Sequence, residues 1–112
     1  SVRLVNGPTL ATGLLEVYHA GEWGTVSSDS SGFGNPNADV VCEQLGYGTS
    51  LNFGWARNVP SVGTGSGLVW FGKVHCTGSE LRLIDCPLDI RTTTSHTYDV
   101  YVECMNQPPS PP

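Results

Sequence analysis

The sequence predicts a small α+β domain that is rich in loops and is held together by two disulfide bonds. Short apolar segments predict strands, a single segment with helical spacing predicts one helix, and an even number of cysteines, 4, predicts the bridges. The chain has 112 residues, of which 14 are Gly and 8 are Pro, and only 13 % are charged. Many glycines with few Lys and Glu argue against a helical bundle.

The first third of the chain predicts a strand followed by a β-hairpin. Residues 2–5 are a short apolar strand, residues 14–18 partly alternate between apolar and polar, and residues 23–26 form the return strand. The sequence HAGE at 19–22 places the hairpin turn. A polar loop rich in Gly and Ser follows at 27–34.

One helix is predicted between Asn35 and Gly46. Asn35 is a suitable N-cap, Pro36 suits the first helical position, and Gly46 is a natural C-terminal stop. Between these ends, apolar residues recur at helical spacing at Ala38, Val41, Cys42 and Leu45. Cys42 is therefore expected on the buried face of the helix.

The second half of the chain predicts only short elements. Residues 49–67 are expected to form a long irregular loop, in which Trp55 is better suited to ligand contact than the core candidates Trp23 and Trp70. The later expected elements are strand-like segments at 68–71 and 74–76, one helical turn at 81–85, a polar loop at 92–97 and a last strand at 100–102.

The C-terminal sequence NQPPSPP at 106–112 cannot form a packed element and favours extended polyproline II. It predicts a boundary between a domain at 1–105 and a Pro-rich linker or tail at 106–112. The PPSPP run resembles the hydroxyproline-rich spacers of plant and green-algal wall proteins. That resemblance implies a matrix or cell-surface protein, of algal type.

Charge and motif content argue against several functional classes. The net charge is −5 with only 5 Lys and Arg residues, which argues against nucleic-acid binding. No apolar run approaches the roughly 20 residues of a membrane helix, so no direct membrane insertion is expected. The sequence lacks a Gly-x-Ser-x-Gly elbow, and His75 and His96 lack a supporting catalytic pattern. The domain is therefore not predicted to be an enzyme.

The four cysteines indicate the compartment. They are separated by 34, 10 and 18 residues, without a CxxC motif or a zinc-finger pattern, and are Cys42, Cys76, Cys86 and Cys104. An even count in a small Gly-rich domain predicts two disulfides and secretion. Four cysteines allow three pairings, and the spacing alone does not select one.

Several short segments together resemble one known family. They are RLVNG at 3–7, GLLEV at 13–17, GEWGTV at 21–26, ADVVCEQLG at 38–46, GTGSG at 63–67, VHCTGSELRLIDC at 74–86 and VEC at 102–104. In this order and spacing, the chain resembles a scavenger receptor cysteine-rich domain of the group A type. The resemblance implies a small curved antiparallel β-sheet that cradles one α-helix.

The same resemblance implies which cysteines pair. It implies a bridge from Cys42 to Cys104 and another from Cys76 to Cys86. Ser27 and Thr94 stand where the family usually has the cysteines of a further bridge. Both members of that bridge are replaced together, as expected if the bridge was lost as a unit.

The resemblance also implies a calcium site. Members of the family often bind calcium through two adjacent acids after the first strand pair and an acid shortly before the last cysteine. The matching residues are Ser28, Asp29 and Asp99, with Tyr98 at the aligned position of the later acid. Calcium prefers about 6–8 oxygen ligands. The alternative is that Asp29 and Asp99 are ordinary turn or surface acids.

The predicted ligand-binding residues are Arg82, Arg91 and Trp55. Basic clusters bind polyanions in this family, and a guanidinium suits sulfate or carboxylate; the alternative is that both arginines are solvated surface residues. The resemblance implies a non-catalytic, secreted or cell-surface module that recognises an extracellular polyanion, glycan or protein with calcium as helper. Two other functions stay open: an accessory module of a secreted enzyme such as a lysyl-oxidase-like protein, and a structural spacer of a matrix or cell wall.

Overall fold

Seven strands form one sheet in residues 1–28 and 33–105, which are the residues that the computed structural model describes. The strands are β1 (Val2–Asn6), β2 (Thr12–His19), β3 (Glu22–Ser27), β4 (Ser50–Trp55), β5 (Leu68–Gly72), β6 (Asp89–Thr93) and β7 (Val100–Cys104). The helix α1 spans Asn35–Gln44, and two 3₁₀ turns span Ala56–Asn58 and Leu83–Asp85. The predicted tail at 106–112 lies outside the described residues.

Strand β2 organises the sheet because it has three partners. One edge of β2 pairs with β1, and its other edge pairs with β7 at residues 12–14 and with β3 at residues 16–19. From this shared edge of β2 the sheet continues along two paths, β7–β4 and β3–β5–β6. Register shifts in three of these pairings add curvature. The predicted α+β fold with a curled sheet is confirmed, with the correction that β3 and β5 pair in parallel.

The predicted hairpin lies between β2 and β3. His19 pairs with Glu22, so the connection has two residues, Ala20 and Gly21. Both have positive φ, 50° and 82°, which is the backbone geometry of a type I′ turn. This turn matches the right-handed twist of the strands that it joins.

Helix α1 packs on the sheet and is joined covalently to it. Cys42 of α1 is fully buried and is bonded to Cys104 of β7, and Cys76 is bonded to Cys86. These are the pairs that the family resemblance implies. The first bridge joins cysteines 62 positions apart. By lowering the entropy of the unfolded chain, a bridge of this span stabilises the fold by about 4 kcal/mol.

The ends of α1 follow from local hydrogen bonds. The N-cap is Gly34, one residue before the predicted Asn35, and its carbonyl accepts the N–H of Ala38. At the other end, Gly46 has φ 86° and its N–H donates to the Glu43 carbonyl, while the N–H of Tyr47 donates to Cys42. This is the Schellman pattern, which requires a left-handed residue at the position of Gly46.

Two strands were not predicted. Residues 50–55, expected to be irregular, form β4 because their backbone pairs with β7 and because Asp39 accepts the N–H and hydroxyl of Ser50. Strand β6 covers part of the expected polar loop at 92–97 and lies at a sheet edge. Four of its five residues are exposed, so its sequence carries no alternating apolar pattern.

One predicted strand is absent. Residues 74–76 are not in a strand because their backbone groups bond elsewhere. The Asn37 side chain donates to the Val74 carbonyl and accepts the N–H of Cys76, both at 2.8 Å. The N–H of His75 donates to the Pro87 carbonyl. The side chain of this buried helical asparagine thus makes the hydrogen bonds that a neighbouring strand would otherwise make.

We expect Asn37→Ala to lower the free energy of unfolding by about 2 kcal/mol, because two backbone groups lose their partner. The control is Asn35→Ala in the same helix, since Asn35 is exposed and its side chain caps nothing. Urea denaturation of both variants measures the difference. Equal losses in the two variants would contradict this role of Asn37.

Glu80 stabilises the loop closed by the Cys76–Cys86 bridge. Its carboxylate accepts the N–H groups of Thr77 and Gly78 and the Thr77 hydroxyl, all at 3.0 Å. The hydrogen bond from the Thr77 backbone is the main cause that lowers the pKa of Glu80 from 4.5 to about 2. The ionised form is therefore the one that holds the loop.

We expect Glu80→Gln to lower the melting temperature at neutral pH. Because the pKa of Glu80 is lowered to about 2 in the folded state, its contribution is full above the unfolded pKa of 4.5 and is lost as the pH falls towards 2. The difference between wild type and variant should therefore shrink across that range. The exposed Glu43→Gln is the control, and a difference independent of pH would argue against this explanation.

Candidate functional site

The ends of five strands meet in one row at one end of the sheet. The N–H of Ala56 donates to the Asp99 carbonyl, Asp99 forms a bridge with Ser27, Ser27 pairs with Gly72, and Gly72 pairs with Asp89. We call this set the strand-end row. Since neighbouring strands lie about 4.8 Å apart, Ala56 and Gly72 are separated by roughly 14 Å. The predicted site residues can be located relative to this row.

Asp99 is buried beneath the row. It is 0 % exposed, and its carboxylate accepts the N–H of Gly65 at 2.7 Å and lies 2.9 Å from Nδ1 of His96. Nε2 of His96 lies 2.9 Å from the Gly67 carbonyl. A Cβ at Gly65 would lie 2.8 Å from the Thr25 methyl carbon, so this approach requires glycine. The Asp99 carboxylate therefore holds the Gly-rich loop and is not on the surface.

Ser28, another predicted calcium ligand, follows Ser27 of the row. The Ser28 hydroxyl accepts the N–H of Phe33 at 3.0 Å, and the Ser28 N–H donates to the Tyr98 carbonyl. Asp29 lies outside the described residues. Calcium prefers several oxygens that are free to coordinate it, and the two described residues use theirs within the fold. Both described residues thus have partners within the fold, and a calcium site at Ser28, Asp29 and Asp99 stays a prediction.

Trp55 belongs to a cluster that the sequence did not reveal. The Arg57 guanidinium carbon lies 4.4 Å from the centre of the Trp55 ring and 5.2 Å from that of Tyr98. The two ring centres are 5.4 Å apart, and the indole N–H of Trp55 donates to the Ser28 carbonyl. We call Trp55, Arg57 and Tyr98 the Arg57 platform.

The Arg57 platform presents an available cation. Arg57 is exposed, and no carboxylate of residues 1–28 or 33–105 forms an ion pair with it. Contact with aromatic faces holds a guanidinium in place with about 0.5–1 kcal/mol at an exposed site. Its in-plane N–H groups stay free to donate to an oxyanion in bidentate fashion.

The two predicted ligand arginines lie in different places. The Arg91 side chain crosses β5 over Gly72, where any Cβ would collide with its guanidinium, and the exposed Lys73 follows Gly72. Arg91 is thus at the strand-end row. Arg82 pairs with Asp85 at 3.0 Å and lines a small cavity with residues of the β2–β3 hairpin.

The sequence signal for Arg57 was present but incomplete. Trp55 and Arg57 are two residues apart, which is compatible with a contact. The second ring belongs to Tyr98, which precedes β7 and reaches Arg57 only because β4 pairs with β7. This long-range pairing was not predicted, because β4 was expected to be a loop.

The curled sheet, the single helix and the two bridges define a small disulfide-bonded domain with a polar surface at its strand ends. The family model described as "Scavenger receptor cysteine-rich domain" matches residues 5–105. The chain belongs to this family. Domains of the family are typically ligand-recognition modules of extracellular or cell-surface proteins and are generally non-catalytic.

Individual relatives agree with this assignment. Human "CD5 antigen-like" is 42 % identical over 106 residues, which are 95 % of this chain and 27 % of that protein. The third SRCR domain of murine neurotrypsin is 33 % identical with a TM-score of 0.77, covering 96 % of this chain and 97 % of that chain. The dimeric form of the SRCR domain of mouse MARCO is 34 % identical with a TM-score of 0.68, covering 83 % and 85 %.

The similarity to the curated relative concerns one part of a longer protein. This chain spans 27 % of the length of that relative. Within the part of the chain that the structure describes, no helix is long and apolar enough to cross a membrane.

We expect Asp99→Asn to lower the free energy of unfolding by about 2 kcal/mol with or without calcium, because an amide cannot replace both carboxylate oxygens that face Gly65 and His96. Calcium binding, if it occurs as the resemblance implies, should instead depend on Asp29. Calorimetric calcium titration and thermal melts of Asp29→Ala and Asp99→Asn separate the two roles. An Asp99→Asn variant that is folded but no longer binds calcium would identify Asp99 as a calcium ligand.

Proposed function

We propose that this chain is a non-catalytic recognition module of a larger secreted or cell-surface protein and binds an anionic ligand along the strand-end row. The observation that carries the proposal is the Arg57 platform, an exposed guanidinium held by two rings without a carboxylate partner among the described residues. The exposed Lys73 adds positive charge farther along the same row, and Arg91 lies beside it over Gly72.

Local pairing explains how an acidic domain can bind an anion. Arg3 is paired with Glu16 at 2.7 Å, and Arg82 is paired with Asp85. These two arginines are neutralised by their partners, whereas Arg57 is held by uncharged rings. Charges act over about 8–10 Å at physiological salt, so a bound anion experiences the Arg57 charge more strongly than the net charge of −5.

The net charge still limits which anions bind well. A dense polyanion extends beyond the row and meets the repulsion of the whole domain. A ligand with sparse carboxylate or sulfate groups does not. This favours recognition of an acidic glycan over a densely charged polymer. In this proposal, Asp29 is the residue on which any assistance by calcium depends.

The two other functions predict different behaviour of the same surface. A structural spacer would bind no anionic ligand at the row. An accessory module of a secreted enzyme would bind a ligand, and the parent protein would contain a catalytic domain elsewhere. The sequence of the parent protein distinguishes this last case.

The test compares the double variant Arg57→Gln/Lys73→Gln with Arg82→Gln. We expect the double variant to weaken binding to heparin and to an immobilised uronic-acid polysaccharide by about tenfold, or about 1.4 kcal/mol. Arg82→Gln should change it less than twofold, because Arg82 is paired with Asp85. Surface plasmon resonance measures both. An equal loss in Arg82→Gln, or no loss in the double variant, would overturn the proposed surface.

A further inference from the structure

The Arg57 platform offers two different kinds of contact close together. A cation lies 4.4 Å from one ring centre and 5.2 Å from another, and both rings are partly exposed. A ligand that uses both contacts must present a carboxylate and an apolar face within a similar distance. Flexible acidic side chains of a peptide lack a rigid apolar face beside the carboxylate.

We infer that the Arg57 platform is a subsite for a carboxylate-bearing sugar, such as a hexuronate. In a hexuronate the carboxylate is attached directly to the ring, and the C–H face of the ring can pack on the exposed rims of Trp55 and Tyr98. The planar carboxylate then meets the in-plane N–H groups of Arg57 in bidentate geometry. This inference rests on the proposed function and names its ligand class.

The backbone around the platform supports a preformed subsite. The indole N–H of Trp55 donates to the Ser28 carbonyl, and the carbonyl of Tyr98 accepts the Ser28 N–H at 2.9 Å. Ala56, between Trp55 and Arg57, donates its N–H to Asp99. The Trp55 ring and the Tyr98 backbone are thus both bonded to Ser28, and Asp99 holds the backbone between Trp55 and Arg57. A preformed site loses little conformational entropy when it binds a rigid sugar.

A uronate polymer is favoured over a multiply sulfated polymer by the charge of the domain. A hexuronate carries a single charge on each ring, and the net charge of the chain is −5. Polymers with several sulfates in each repeat meet stronger repulsion from the rest of the surface. The subsite is therefore expected to discriminate by the shape and charge density of the ligand.

The experiment titrates the 112-residue chain with glucuronate, glucose, glucose 6-sulfate and a short Glu-containing peptide, followed by NMR chemical shifts. We expect glucuronate to bind with a Kd on the order of 1 mM, as suits so small a ligand, and glucose to bind at least tenfold more weakly. The indole N–H signal of Trp55 should shift with glucuronate.

The matched variants are Arg57→Lys and Arg82→Lys. Arg57→Lys keeps the charge but loses the planar fork, so we expect it to weaken glucuronate binding at least fivefold, whereas Arg82→Lys leaves it unchanged. Equal or tighter binding of the sulfate or the peptide would overturn the ligand class. Glucuronate binding that is insensitive to Arg57→Lys would overturn the subsite, while a lower heparin affinity in Arg57→Gln/Lys73→Gln would still support the proposed function.

Discussion

The buried carboxylate of Asp99 is the interaction on which the strand-end row depends. A carboxylate without exposure needs charged or hydrogen-bonding partners, because its desolvation is otherwise strongly unfavourable. Asp99 finds them in Gly65 and His96, and His96 reaches on to Gly67. The Gly-rich loop, the segment before β7 and the end of β4 are thereby fixed together. Tyr98 and Arg57 adjoin these fixed points, so the geometry of the Arg57 platform follows from the burial of Asp99.

Helix α1 stabilises the opposite part of the domain by other means. Its cysteine is bonded to β7, and three of its polar side chains bind neighbouring segments: Asn37 binds residues 74–76, Asp39 binds Ser50, and Gln44 accepts the N–H of Leu83. None of these contacts involves Arg57. The scaffold and the proposed recognition surface therefore rest on separate interactions, and the surface can be changed without removing what holds the helix.

Local sequence patterns predicted the elements whose determinants are local. The hairpin depends on two turn residues, and the end of α1 depends on Gly46, so both could be located from the sequence. β4 and β6 could not be located from the sequence, because their own apolar patterns are weak. They are strands because their backbones pair with β7 and β5. The acid that the family has shortly before the last cysteine aligns with Tyr98, and Asp99 is its neighbour. Tyr98 lies in the turn before β7 with its ring beside Arg57, whereas the Asp99 side chain is buried.

The distribution of partners among the cations decides where this acidic domain can meet an anion. Arg3 and Arg82 have carboxylate partners, and such pairs present little net charge to a ligand. Arg57 is instead placed over Trp55 and Tyr98, whose ring faces attract the guanidinium without neutralising its charge. A carboxylate in place of either ring would fix Arg57 equally well and would compete with the ligand. The aromatic contacts therefore position the cation and keep it available, which a surface ion pair does not achieve.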